Sequence, residues 1–305
     1  MGIGDDAACW QPSRSHRSVI TTDALVDGVH FLSQRMSAAD VGRRALAANL
    51  SDLAAMGARP VLAVVALGVA AETPEAWILD AYRGMDALAR EHGVRIAGGD
   101  ITRAPAISLA ITVVGEVSAG RLKRRAGGRA GDVVAVTGPL GASRAGLELL
   151  RRELPVAPDV REAALAAYRT PEPRVREGRW LAASANVRAM MDCSDGLSTD
   201  LRRLAAASGC GAVVDAVPVA AAADAVARAA GARPADYALH GGEDYELIVA
   251  VDARAFAHLA GAFERRFGRP LLRVGTLCAE AGLFLCEAGA LRELAPAGWD
   301  HLAPP

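Results

Sequence analysis

Aspartates recur beside glycines, at the predicted ends of strands or starts of helices. They are Asp5, Asp6, Asp23, Asp100, Asp192 and Asp195. One further aspartate, Asp52, lies inside an apolar stretch with helical spacing. A lone aspartate at a helix start is usually only an N-cap. Several carboxylates that meet without a partner would repel one another and would be costly to bury. A shared divalent cation relieves both costs, and oxygen ligands without a Cys or His cluster favour Mg²⁺ over zinc.

Two glycine-containing turns are candidates for holding phosphate. The first, Gly98-Gly99-Asp100, follows a predicted strand, and glycine there lets the backbone approach a ligand closely. The second, residues 192–196, lies just before a predicted helix, whose N-terminus attracts anions. Each signal is weak alone, because glycine turns are common at strand ends. His30 and His240 are candidate acid–base or hydrogen-bonding groups, although a lone histidine is more often an ordinary surface or core residue.

The elements that must position these residues alternate between strands and helices, which predicts an α/β fold. Strands are predicted at residues 18–22, 61–69, 94–97, 107–117, 133–137, 187–191 and 245–251. Helices are predicted at residues 38–56, 74–92, 142–151, 160–168, 175–185, 197–208 and 253–267. The basic, glycine-rich stretch 120–129 is most simply a solvated linker. It predicts two domains, over residues 1–125 and 126–305.

The composition excludes several classes of protein. The chain is 52% hydrophobic and 23% charged, so it can bury large cores and is not wholly disordered. Its 34 basic and 35 acidic residues give a net charge of −1, which argues against nucleic acid as a partner. Lys123 is the only lysine, and it does not lie in a Gly-Lys-Ser/Thr loop. A P-loop NTPase is therefore excluded.

The pattern of cysteines and the length of the longest apolar stretch indicate where in the cell the protein is located. None of the five cysteines forms a C-x-x-C pair, and an odd count in a long chain is typical of reduced thiols. The N-terminus has neither the basic nor the apolar region of a secretory signal. The longest apolar stretch, residues 61–71, is too short to span a bilayer. We expect a cytoplasmic protein that does not associate with membranes.

Seven segments match a known family in the correct order and together cover nearly the whole chain. They are residues 2–8, 21–31, 48–58, 98–103, 192–197, 241–247 and 298–301. Taken together they resemble the thiamine-monophosphate kinases, a family of the ATP-binding superfamily named after aminoimidazole ribonucleotide synthetase. Any one motif is shared across that superfamily. The segment 49–58, together with His30 and residues 241–247, is much more specific.

The resemblance implies a two-domain fold like that of aminoimidazole ribonucleotide synthetase. It also implies a homodimer joined through strands of the N-terminal domain, with the active site in the cleft between domains. The implied reaction moves the γ-phosphoryl group of ATP onto thiamine monophosphate and gives thiamine diphosphate and ADP. Both reactants are phosphate anions, so Mg²⁺ is expected to convert their repulsion into positioning. The acceptor is already ionised, and no catalytic base is expected.

Carried over by position, the resemblance also implies a set of site residues. Several magnesium ions would be held by Asp6, Thr21, Thr22, Asp23, Asp52, Asp100, Asp192 and Asp195. ATP would be contacted by Gly99, Asp100, Arg125, Ser194 and Tyr82. Thiamine monophosphate would be contacted by His30, Glu243 and Trp299.

Two alternatives stay open. One is another ATP-dependent enzyme of the same superfamily. Selenophosphate synthetase would have a reactive cysteine in a glycine-rich loop, and Cys9 lacks that setting. The hydrogenase-maturation relative would end in a functional cysteine, which this sequence does not have. Aminoimidazole ribonucleotide synthetase itself lacks the sequence Asn49–Asp52. The other alternative is a non-catalytic sensor of magnesium and nucleotide, which would need fewer carboxylates.

Overall fold

The first sheet of the protein has four strands with helices on one face. The computed structural model describes residues 10–295 and 297–298, so Asp6 and Trp299 lie outside the described residues. The strands are β1 (His16–Val26), β2 (Arg59–Val69), β3 (Arg95–Arg103) and β4 (Ser108–Ser118). They lie in the order β1-β4-β2-β3, and only the β2–β3 pair is parallel. The covering helices are α1 (Ala38–Ala55) and α2 (Glu75–His92).

Helices α1 and α2 pack unusually closely through two glycines. A Cβ atom on Gly42 would lie 1.9 Å from the carbonyl oxygen of Ala81, and one on Gly84 would lie 1.9 Å from that of Ala39. Any side chain at these positions would force the helix backbones apart. The contact leaves α1 deeply buried, since fourteen of its eighteen residues are buried. Polar residues on such a helix must therefore find partners inside the protein.

The second sheet has seven strands. They are β5 (Val133–Val136), β6 (Val187–Asp192), β7 (Gly211–Val214), β8 (Leu247–Val251), β9 (Leu272–Cys278), β10 (Leu283–Glu287) and β11 (Ala290–Glu293). Their order is β11-β10-β7-β9-β5-β8-β6, which places β6 at one edge. Helices in this part are α3 (Ala142–Arg151), α4 (Pro158–Arg169), α5 (Val175–Ala182), α6 (Leu197–Ala207), α7 (Ala221–Ala229), α8 (Pro234–His240) and α9 (Ala253–Phe267).

The two sheets share a continuous hydrophobic core. It contains α1 side chains such as Leu50 and Leu53 together with Met190 and Leu247 of the second sheet. Helix α5 lies directly against α1, because a Cβ atom on Gly178 would be 2.2 Å from the carbonyl oxygen of Ala54. Residues at the end of β6 are thereby placed next to the polar residues of α1. No helix in the described ranges is long and apolar enough to cross a membrane.

Most predicted elements are present, and the mixed α/β architecture is confirmed. Three differences matter. The segment Gly98–Asp100 lies inside β3 and is not a turn after a shorter strand. The basic stretch is not a freely solvated linker, because Lys123 is only 8% exposed and donates to the carbonyls of Ser184 (2.9 Å) and Val187 (2.7 Å). Helices α7 and α8 were not predicted. The domain boundary at residue 125 stays a prediction.

Candidate active site

Three polar residues near the C-terminal end of α1 connect the two sheets. Asn49 Oδ1 accepts the backbone N–H of Asp23 on β1 at 3.0 Å. Ser51 donates its hydroxyl to Asp192 Oδ2, at the end of β6, at 2.8 Å. Asp52 accepts a hydrogen bond from the hydroxyl of Thr21 on β1. Successive helix residues are rotated by about 100°, so one short segment reaches carboxylates from both sheets.

A loop after β6 brings further carboxylates to the same place. Asp195 lies between β6 and α6, and Asp200 lies in the first turn of α6. Asp200 Oδ2 accepts the backbone N–H groups of Ser194 at 3.0 Å and Asp195 at 2.8 Å, which holds the loop against the helix. Arg203 forms ion pairs with both Asp195 and Asp200. We call Asp23, Asp52, Asp192, Asp195 and Asp200 the carboxylate cluster.

The carboxylate cluster carries negative charge that the protein only partly compensates. Burial, followed by Asp52 and Asp195, raises the pKa of Asp23 to about 6. Burial, followed by the carboxylates of Asp52 and Asp200, raises the pKa of Asp192 to about 8. Burial and the charge of Asp195 raise the pKa of Asp200 to about 7. Without a cation, these acids therefore ionise at a higher pH than ordinary aspartates.

The surroundings of Asp52 shift its pKa in both directions. Burial raises its pKa, while the Thr21 hydrogen bond and the positive charge of Arg125 act in the opposite direction. Arg125 is exposed, in the segment between the two sheets. A cation from that segment thus lies close enough to the carboxylate cluster to favour the ionised form of Asp52.

The donor atoms of the carboxylate cluster suit a magnesium ion that also binds phosphate and water. They suit a metal ion held only by protein ligands less well. Carboxylate and hydroxyl oxygens are hard ligands, and Mg²⁺ in phosphate-transferring sites is typically held by one or two carboxylates plus phosphate oxygens and water. Over residues 10–295 and 297–298, only Glu91, His92 and Glu172 bring three possible donor atoms within 4.8 Å of one another. The carboxylate cluster is more open, which leaves room for phosphate oxygens to complete the coordination.

Thr22 and Asp100 lie on the other face of the first sheet. Thr22 is exposed, whereas its neighbours Thr21 and Asp23 point toward α1. Asp100 pairs with Ala66 of β2, and that row continues through β4 to Ala24 of β1. Strands β1 and β3 are opposite edges of the sheet, three strand spacings or about 14 Å apart. Within one chain these two residues are not brought to the carboxylate cluster.

A buried arginine connects two residues that the sequence assigns to the substrate. Arg44 of α1 is fully buried and forms an ion pair with Glu243. Its Nε donates to the carbonyl oxygen of His30 at 3.3 Å, and its guanidinium lies 4.1 Å from the centroid of the Tyr168 ring. The Tyr168 hydroxyl donates to the same His30 carbonyl at 3.0 Å. Arg44 therefore holds the His30 loop and Glu243 together, which local sequence patterns did not reveal.

Glu243 lies in a strained loop beside the carboxylate cluster. Its φ is +58° and that of Tyr245 is +51°, a left-handed conformation that is uncommon for such residues. The backbone N–H of Glu243 donates to the carbonyl of Ser194 at 2.7 Å, which ties this loop to the loop after β6. Backbone strain of this kind occurs often at functional sites, where the surrounding structure maintains it.

Comparison with known proteins assigns the chain to a family. The N-terminal domain model of AIR synthase related proteins matches residues 4–117, and the C-terminal domain model matches residues 129–285. The thiamine-monophosphate kinase of Escherichia coli K12 is 37% identical, over 100% of this chain and 93% of the relative. That of Synechococcus elongatus is 37% identical, over 85% of this chain and 80% of the relative. The chain belongs to the thiamine-monophosphate kinase family.

Solved structures of the family have the same fold. The crystal structure of thiamine-monophosphate kinase from Stenotrophomonas maltophilia K279a is 37% identical, with a TM-score of 0.85 over 95% of this chain and 92% of that chain. A structure described as AaThiL complexed with AMPPCP and TMP is 29% identical, with a TM-score of 0.83 over 96% of this chain and 89% of that chain. The two-domain fold that the resemblance implied is therefore confirmed.

The remaining predicted residues lie at several places in this family fold. Tyr82 is half-buried on α2, where burial raises the pKa of its phenol. Gly99 lies in β3, and a Cβ atom there would be 2.0 Å from the Val65 carbonyl oxygen, so this position needs glycine for strand packing. His240 Nδ1 lies 2.8 Å from the hydroxyl of Ser198. Asp6 and Trp299 are outside the described residues, and their roles stay predictions.

Residues that the sequence reasoning did not assign also shape the site. Glu246 accepts the Thr137 hydroxyl at 2.6 Å and forms ion pairs with Arg174 (2.7 Å) and Arg269 (3.1 Å). Asp244 accepts the backbone N–H of Gly141 at 2.7 Å. The acid-rich segment 243–246 is visible in the sequence. Its hydrogen-bond and ion-pair partners could not be predicted, because they come from distant parts of the chain.

Proposed function

We propose that the chain transfers the γ-phosphoryl group of ATP to thiamine monophosphate, with magnesium ions at the carboxylate cluster. The observation that carries the magnesium assignment is the convergence of buried carboxylates from both sheets on α1. Burial, followed by neighbouring carboxylates, raises the pKa values of Asp23 and Asp192, and this supports a site that a bound cation would complete. When bound, magnesium would neutralise the phosphate oxygens and align the two reactants for in-line transfer.

Each described residue then has a role that its contacts support. Asp23, Asp52, Asp192 and Asp195 would offer carboxylate oxygens to the ions. The Thr21 hydroxyl donates to Asp52 and so limits its side-chain rotamers. Asp6, Thr21, Thr22 and Asp100 belong to the proposed magnesium set by their positions in the family motifs.

On the nucleotide side, we assign Gly99, Asp100, Arg125, Ser194 and Tyr82 to ATP. Arg125 is the best supported of these, because its charge acts on Asp52. Glu243, His30 and Trp299 are assigned to thiamine monophosphate. The first two are held by Arg44, whose buried charge is balanced by Glu243. No residue is assigned as a base, because the acceptor phosphate is already ionised.

A homodimer joined through the first sheet belongs to the same proposal. The face opposite α1 and α2 exposes Ile20 (69%) on β1, and β1 is an edge strand. Thr22 and Asp100 lie on that face, away from the carboxylate cluster of their own chain. A second copy would cover the apolar surface and could bring such residues to a shared site. Sedimentation at micromolar concentration tests this, and a monodisperse monomer would exclude it.

A cytoplasmic location and a boundary near residue 125 are also proposed. In the part of the chain that the structure describes, Cys193, Cys210, Cys278 and Cys286 are all free, in keeping with a reducing compartment. The two sheets lie on either side of the segment 120–129. Because both parts contribute to one core, we expect neither residues 1–125 nor residues 126–305 to be stable when expressed alone.

A single assay tests the function against its alternatives. ATP consumption is measured in parallel with thiamine monophosphate, an aminoimidazole precursor and selenide, each with magnesium and with EDTA. We expect turnover only with thiamine monophosphate and magnesium. Turnover with another acceptor would indicate a different enzyme of the superfamily, and ATP binding without turnover would indicate a sensor. Asp52→Asn is the control for metal-dependent chemistry.

A further inference from the structure

A cavity of about 390 Å³ lies at the end of α1, away from the carboxylate cluster. Helices α5 and α9 and the ends of β1 and β4 form its walls. We call it the arginine pocket and define it by Arg59, Arg121, Arg176, Arg179, Arg266 and Trp180. Small-molecule sites typically have volumes of about 300–1,000 Å³, so the space suits a ligand of modest size.

The positive charge of the arginine pocket is largely uncompensated. Among the described residues, Glu116 is the one carboxylate that lines it, and that group already accepts from Arg59 at 3.0 Å and from Ser13 at 2.6 and 2.9 Å. The guanidinium groups of the remaining four arginines make no hydrogen bond or ion pair with the described residues. The whole chain carries a net charge of −1, so a general basic excess does not explain this concentration. A polyanion would relieve the repulsion among them.

The wall of the pocket also contains a fixed aromatic ring. Trp180 makes edge-to-face contacts with Phe263 (centroids 5.9 Å apart) and Phe267 (5.8 Å apart). These contacts hold the indole in one orientation beside Arg176 and Arg179 of the same helix. Guanidinium groups bind phosphate bidentately, and an ordered indole can stack on a planar ring. Together they match a ligand that carries both groups.

The arginine pocket and the carboxylate cluster differ in charge and position. His16 lines the pocket, whereas Thr21 and Asp23 of the same strand face the cluster. Five residues along a strand correspond to about 17 Å. An anion would enter the carboxylate cluster only with magnesium, but the pocket supplies its own positive charge. A chelator should therefore abolish phosphate binding at the carboxylate cluster and leave anion binding in the arginine pocket intact.

We propose that the arginine pocket binds a phosphorylated compound with an aromatic ring, of the nucleoside diphosphate class, without a metal ion. This site is separate from the one that carries the phosphoryl transfer. It needs no second copy of the chain.

The test uses ADP as the probe, with EDTA present so that the carboxylate cluster repels phosphate. Binding is measured by calorimetry and by quenching of Trp180 fluorescence, with Trp180→Phe to assign the signal. The matched variants are Arg266→Gln and Arg265→Gln, neighbours on α9 of which only Arg266 lines the pocket. We expect Arg266→Gln to weaken ADP binding about tenfold, and Arg265→Gln to leave it within about twofold.

A second set of measurements separates this site from the catalytic one. Arg176→Gln/Arg179→Gln should abolish ADP binding in EDTA and leave kcat and the KM for ATP unchanged. Wild-type protein that binds no ADP in EDTA, or an equal loss in Arg265→Gln and Arg266→Gln, would overturn the proposal. So would a raised KM for ATP in Arg266→Gln, because the pocket would then extend the catalytic site. If inorganic pyrophosphate binds as tightly as ADP, the proposed contact between Trp180 and an aromatic ring of the ligand is refuted.

Discussion

Replacing Asp23 by asparagine should stabilise the magnesium-free protein. The Asp23 carboxylate is largely buried, accepts no hydrogen bond from the described residues, and lies near the charges of Asp52 and Asp195. These conditions raise its pKa from 3.8 to about 6. Asparagine has nearly the same shape but no charge, so it removes the cost of ionisation and keeps the packing.

The size and pH dependence of this effect follow from the shift. In the unfolded chain Asp23 ionises near pH 4, whereas in the folded chain it ionises near pH 6. The wild type therefore loses stability as the pH rises through this interval, and the full loss is present above it. About two pKa units correspond to about 3 kcal/mol. Burial of the asparagine amide offsets part of the gain, so we expect about 1–3 kcal/mol at pH 8.

Urea unfolding in EDTA at pH 4 and pH 8 measures the effect, with Asp80→Asn on the surface of α2 as the control. Asp23→Asn should match the wild type at pH 4 and exceed it at pH 8. With magnesium present the order should reverse, because the wild type gains binding energy that the variant lacks. A variant less stable than the wild type in EDTA at pH 8, or an equal gain at both pH values, would refute the reasoning.

Three further changes probe other parts of the site. Glu243→Gln leaves the buried Arg44 charge without its carboxylate and should lower the free energy of unfolding in urea by about 3 kcal/mol. A decrease of less than about 1 kcal/mol would contradict that pairing. Asp52→Asn should abolish turnover with equal or higher stability in EDTA, and near-normal activity at ordinary magnesium levels would exclude Asp52 as a ligand. Trp299→Ala should raise the KM for thiamine monophosphate a few-fold to about thirty-fold, with the KM for ATP unchanged and partial recovery in Trp299→Phe. A lower Tm with an unchanged acceptor KM would instead make Trp299 an anchor of the C-terminal tail.

Local sequence was a good guide wherever structure depends on near neighbours. Helices 142–151 and 253–267 have the predicted bounds, because periodicity and flanking residues such as the N-cap Asp252 and the left-handed Gly268 act within a few positions. The family was also visible from the sequence, because its motifs are short and contiguous. Helices α7 and α8 were missed: α7 lies in an alanine-rich stretch whose small side chains are a weak signal, and α8 has only seven residues, about two turns.

The sequence by itself determined the fold class, the family and the chemical types of the site residues. Only the tertiary structure decided which of those residues meet. Thr21 and Thr22 are adjacent in the chain, but strand alternation sends them to opposite faces. Arg44 and Glu243 are about two hundred residues apart and pair only because α1 lies between the two sheets. Burial at that junction, which no local pattern encodes, is also the largest cause of the raised pKa values of the carboxylate cluster.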